Sequence, residues 1–78
     1  MGEVSVLLFG PLAEAFGISE STQKIESSST PETILLQMGL SEWKNKGLRC
    51  AINQKIGDFD IVLKDGDELV FLTPVSGG

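Results

Sequence analysis

The two most apolar short segments of this chain lie near its opposite ends, at 3–9 and 68–72, and a chain of 78 residues has room for one hydrophobic core. Both segments must therefore serve the same core. In the first, Val4, Val6 and Leu8 alternate with Ser5, Leu7 and Phe9, and in the second Leu69 and Phe71 alternate with Val70 and Leu72. A period of two predicts strands, and apolar residues on both faces suit the middle of a sheet rather than its edge.

Between them the sequence predicts a compact series of elements. Gly10-Pro11 ends the first strand, and Pro11 suits the first turn of a short helix in which Leu12 and Phe16 share a face, with Gly17 as its stop. Ser21 to Glu26 is polar around Ile25 and reads as an edge strand paired with the first. Thr30-Pro31-Glu32 is a helix start, placing Ile34, Leu35 and Met38 on the buried side before Gly39. Ser41 to Gly47 adds a helical turn with Trp43 as a packing anchor, and Leu48 to Asn53 reads as a third strand. An irregular connection with a short strand follows over Asn53 to Asp60, and Asp65-Gly66 turns the chain into the last strand.

That order predicts an α+β domain with one mixed sheet and its helices packed on one face, and it suits a β-grasp. The first and last strands would then be parallel neighbours at the centre, with Val4, Val6, Leu8, Leu69 and Phe71 toward the helices. Leu7, Phe9, Val70 and Leu72 would lie on the uncovered face, an apolar surface that calls for a partner.

Composition narrows the function. Eleven acidic residues against six basic ones give a net charge of −5, the wrong sign for tracking nucleic-acid phosphates. No apolar run approaches the roughly 20 residues of a membrane span, and a secretory leader is absent from the start of the sequence, so a cytoplasmic protein is expected. With no histidine and the single Cys50, a Cys/His metal site and the usual catalytic triads are not expected. Cys50 alternates with Leu48 and Ile52, the setting of a small core residue rather than a nucleophile.

The chemistry is expected in residues 73–78, which follow a domain comprising 1–72. Thr73-Pro74-Val75-Ser76-Gly77-Gly78 carries no large or charged side chain. By itself a Gly-Gly ending is equally compatible with a frayed end or an appended remnant. Glycines without Cβ can thread a narrow channel, and Pro74 stiffens the approach. The group delivered would be a terminal carboxylate, inert as an acyl donor until an external enzyme supplies a leaving group such as AMP. The sequence contains no glycine-rich loop followed by Lys-Ser/Thr to hold a nucleotide itself.

The stretches Val6 to Phe9, Pro11 to Gly17, Ala51 to Lys55, Leu63 to Leu69 and Pro74-Val75-Ser76-Gly77-Gly78 together resemble the MoaD group of ubiquitin-like sulfur carriers. The resemblance implies a β-grasp protein that is the small, sulfur-donating subunit of molybdopterin synthase and not catalytic alone. It implies that the Gly78 carboxylate is adenylated by an E1-like enzyme, which would hold ATP and Mg, and is converted to a thiocarboxylate. Inserted into the synthase large subunit, the thiocarboxylate would then pass sulfur to cyclic pyranopterin monophosphate in molybdenum cofactor biosynthesis. By position, Gly78 would hold the sulfur, Thr73, Pro74, Val75, Ser76 and Gly77 would lie in the partner's channel, and Phe9, Ile56 and Leu72 would form the docking patch. The same carboxyl chemistry also fits a carrier for thiamine thiazole synthesis, or a ubiquitin-like modifier forming isopeptides through Gly78.

Overall fold

The computed structural model describes residues 2–73. Eight elements follow one another: β1 (Gly2–Leu8), α1 (Pro11–Phe16), β2 (Glu20–Ile25), α2 (Pro31–Gln37), a 3-10 helix (Ser41–Lys46), β3 (Arg49–Ile52), β4 (Lys55–Gly57) and β5 (Glu68–Leu72). The strands form a five-stranded sheet in the order β2-β1-β5-β3-β4. β1 and β5 are parallel, in register from Ser5↔Glu68 to Leu8↔Phe71, whereas β2, β3 and β4 add antiparallel neighbours. The mixed sheet and the central pairing of the two terminal strands are as the alternation predicted.

One face of the sheet carries the core. Val4, Val6 and Leu8 of β1, Leu69 and Phe71 of β5 and Cys50 of β3 pack with Leu12 of α1 and with Ile34 and Leu35 of α2, all essentially inaccessible to water. Phe71 is the largest of these side chains, and Phe59 stacks on it with ring centroids 6.4 Å apart. Trp43 is half-buried against the same cluster, and the Lys46 ammonium lies 4.5 Å from the centroid of its ring.

The helix boundaries follow from local chemistry. The Thr30 side chain accepts a bond from Thr33 N–H at 3.3 Å, and Thr30 N–H donates to Thr33 Oγ1 at 2.8 Å, closing a capping box ahead of α2 with threonine where glutamate is usual. Gly17 ends α1 in the left-handed region at φ 105°, its N–H donating to Ala13 O.

The connection after β3 is more ordered than its sequence announces. Asn53 and Gln54 both have positive φ, 52° and 72°, forming the two-residue turn of a β3-β4 hairpin in which Ile52 pairs with Lys55. No Asn-Gly or Asp-Gly pair marks the turn, and the Asn53 side chain compensates. Its Nδ2 donates to Asp67 Oδ1 at 3.0 Å, and its Oδ1 accepts from Glu68 N–H at 3.0 Å. Asp67 Oδ2 in turn accepts from Lys64 N–H, and Asp65 Oδ1 accepts from Glu3 N–H at 2.9 Å. The turn into β5 is thereby tied to both β1 and the hairpin.

Two stability outcomes follow. Phe71→Ala, which empties the centre of the core, should lower unfolding free energy by about 3–5 kcal/mol in a denaturant titration. Gln54→Gly relieves a positive-φ position on an exposed turn and should raise it by up to about 1 kcal/mol.

Candidate functional site

The alternation that sends Val6, Leu69 and Cys50 inward sends their neighbours to the opposite face of the sheet, which no helix covers. The registers Leu7↔Val70, Val70↔Ala51 and Ala51↔Ile56 make one apolar row across β1, β5, β3 and β4. The next row holds Leu72 beside Arg49, and Phe9 follows β1 one residue after the paired position Leu8↔Phe71. Phe9 and Ile56 are 55% and 63% exposed, high values for side chains of this size, and Leu72 and Val70 are half-buried. Apolar side chains grouped in this way mark a surface suited to a protein partner.

Leu7 and Val70 lie where the sequence placed them, on the uncovered face. Ile56 belongs to the row of Leu7, Val70 and Ala51, while Leu72, and Phe9 one residue past the last β1–β5 pair, lie one row beyond it. Ala51 did not stand out in the sequence. The signal was present in the alternation of β3, where Cys50 and Ile52 face the core and Arg49 and Ala51 therefore face away. Charge frames the patch: Glu20 stands opposite Leu7 on the β2 side, Glu68 opposite Ser5 at one end, and Arg49 opposite Leu72 at the other.

β5 ends at Leu72, and Thr73 is half-buried beyond it. The chain therefore leaves the domain at the end of the sheet that carries Phe9 and Leu72. Pro74, Val75, Ser76, Gly77 and Gly78, to which the sequence assigns the reactive tail, lie outside the described residues.

Cys50 is fully buried, its Sγ 3.4 Å from Gly57 O, and burial, with a smaller contribution from the Asp58 charge, raises its thiol pKa above the ordinary value. Among the described residues no group of His, Cys, Asp and Glu is arranged to hold a metal, and no helix is long and apolar enough to cross a membrane.

The chain is similar in sequence and in fold to known proteins. Residues 6–78 match the model of the ThiS family. The chain belongs to the ThiS family. Within it, the chain is 32% identical over 81 residues to the molybdopterin synthase sulfur carrier subunit of Escherichia coli (strain K12), covering 96% of this chain and 99% of that one. In three dimensions it resembles the small archaeal modifier protein 1 of Methanosarcina acetivorans (30% identity, TM-score 0.76, covering 100% of this chain and 98% of that one). It also resembles a chain in the complex of subunits 1 and 2 of molybdopterin-converting factor from Helicobacter pylori 26695, with 32% identity and a TM-score of 0.67, covering 97% and 99% of the two chains. These relationships establish the ubiquitin-like β-grasp fold for the ThiS-family chain.

Because the folded thiol titrates above its unfolded range, Cys50 stabilises the fold in its neutral form, fully below the unfolded pKa and progressively less as pH rises toward the folded one. Stability should therefore decline with rising alkaline pH, and Cys50→Ala should remove that part of the decline. The native thiol should also resist alkylation at neutral pH until the protein is unfolded, as intact mass will show.

Proposed function

We propose that this chain is the sulfur carrier subunit of molybdopterin synthase and that the carboxylate of Gly78 is its working group. The single observation that carries this reading is near-full-length similarity to a molybdopterin synthase sulfur carrier subunit, in a chain that ends in Gly-Gly and whose described residues carry an apolar surface beside the end of β5. The complex of converting-factor subunits 1 and 2 that contains a similar chain supports a large subunit as partner.

The division of labour follows from the chemistry available. A carboxylate is ionised at neutral pH and unreactive toward sulfur nucleophiles. On an E1-like partner holding ATP and Mg, the carboxylate would attack the α-phosphate of ATP, forming a mixed anhydride with AMP and releasing pyrophosphate. Attack by sulfide on that mixed anhydride would expel AMP and leave a thiocarboxylate; attack by a persulfide would expel AMP and leave an acyl disulfide, from which a second thiol would release the thiocarboxylate as it forms a disulfide with the donor's sulfur. The domain contributes docking through Phe9, Ile56 and Leu72 with the row that links them. Thr73, Pro74, Val75, Ser76 and Gly77 deliver the terminus into the synthase, where its sulfur would pass to cyclic pyranopterin monophosphate in the cytoplasm.

The similar archaeal modifier protein supports a second reading, in which Gly78 forms isopeptides with lysines of other proteins. High-mass conjugates that carry this chain in native extract would favour that reading over carriage to a synthase. Co-purification of a thiazole synthase in place of a synthase large subunit would point to thiamine thiazole synthesis.

Two sets of variants test the proposal on the reconstituted system of this chain, its activating enzyme and the synthase large subunit. Deleting Gly78, or adding one residue after it, should abolish sulfur transfer while leaving thermal unfolding unchanged; transfer at the unmodified rate would remove the terminal carboxylate from the mechanism. Leu72→Asp loses apolar burial and places an unpaired charge at the interface, so binding to the large subunit should weaken by at least about tenfold. Unaltered affinity would exclude Leu72 from the docking surface.

A further inference from the structure

β2 is an edge strand of the sheet, and its outer rim is open along most of its length. The direction of its backbone groups can be fixed. Leu8 N–H donates to Ser19 O at 2.8 Å, one step beyond the pair Leu7↔Glu20, so Ser19, Ser21, Gln23 and Ile25 turn their peptide groups toward β1. Glu20, Thr22 and Lys24 must then direct their N–H and C=O groups outward. Among the described residues, a side chain that reaches this rim is the exposed Gln37, whose Nε2 lies 3.4 Å from Lys24 O, a long contact that leaves the second lone pair of the carbonyl available.

An open strand edge is a template for another strand, and the side chains of β2 specify which one. Folded about Thr22, the strand is complementary to itself in antiparallel orientation: Glu20 meets Lys24 twice, Ser21 meets Gln23 twice, and Thr22 meets Thr22. All three outward-directed residues then face outward-directed residues, as a ladder requires. Moving the centre by one residue along the strand would set Glu20 against Glu26 or against Thr22, and so loses the charge match. Within the monomer Glu20 stands opposite the apolar Leu7, and the ion pair present among the described residues, Lys44–Glu32, involves neither Glu20 nor Lys24.

We infer that β2 is a homodimerisation edge, through which two copies of this chain join about a two-fold axis at Thr22 into one continuous ten-stranded sheet. The axis is perpendicular to the sheet, so the two uncovered apolar faces lie on the same side, with the Glu20, Thr22 and Lys24 side chains between them. The C-terminal ends of the two β5 strands point away from each other, and each docking patch remains open. Opposite-charge and Thr–Thr cross-strand pairs stabilise such a ladder, while the net charge of −5 on each copy opposes it. The small contact and this repulsion make the dimer a weak one, with a dissociation constant of about 0.1–1 mM.

Sedimentation equilibrium of the full chain should show the mass rising toward a dimer over that concentration range, and a mass independent of concentration would overturn the inference. Glu20→Lys and Lys24→Glu should each abolish self-association by opposing like charges. A mixture of the two variants should nevertheless form a heterodimer, at least about tenfold more stable than either homodimer. A mixture no more associated than its components would contradict the register. Thr22→Pro removes an outward N–H that β1 does not use, so it should leave thermal unfolding in place and eliminate the dimer. Association that survives Thr22→Pro but is lost in Leu72→Asp would move the contact to the uncovered face and refute the edge.

Discussion

The parallel pairing of β1 with β5 is the constraint on which the rest of the molecule depends. It brings together segments more than sixty residues apart in sequence, Ser5 against Glu68 through Leu8 against Phe71. Closing so long a loop is entropically costly, and the apolar density of both strands is what offsets it. Once the pair exists, both helices have one floor to cover, made of Val4, Val6, Leu8, Leu69 and Phe71. The backbone at the base of the pair is fixed as well. A Cβ on Gly2 would lie 2.7 Å from Asp65 Cβ, so only a residue without a side chain lets β1 approach the turn that launches β5 this closely.

The same pairing generates the proposed docking surface. A central strand with apolar residues on both faces solves the core on one side and creates an exposed patch on the other, because the sheet's pleat sends Leu7, Val70 and Leu72 away from the helices. Parallel direction also decides where the patch lies relative to the chain's exit: β1 and β5 finish at the same end, so Phe9 and Leu72 stand where the chain passes into Thr73. Docking by this face would couple partner recognition to delivery of the tail without any moving part in the domain. The domain's Cys50 is buried in the core and packs as a small apolar side chain.

Much of this was legible in the sequence because it was written in local periodicity. The alternation in β1 and β5 announced both faces, and Thr30-Pro31 announced the start of α2. What was not legible depends on register, which has no local signature. Ile56 joins Leu7 only through Ala51 and Val70, a row that exists once three strand pairings are fixed. The β3-β4 turn was hidden for a different reason. Asn53 and Gln54 do not form a strong turn pair, and the turn is held where the Asn53 side chain donates to Asp67 and accepts from the Glu68 N–H, fourteen and fifteen residues away. The stacking of Phe59 on Phe71 was likewise invisible, since it arises where a loop folds back beneath the sheet.

The central claim is that this fold is a carrier whose cargo is attached at its carboxyl end. Intact-mass and fragment-ion analysis of the chain, after incubation with its activating enzyme, ATP and a sulfur donor, measures that directly. The account predicts that one oxygen is replaced by sulfur and that the change maps to Gly78; a sulfur adduct located on Cys50, or a chain of unaltered mass in a system competent to activate a known carrier, would contradict it.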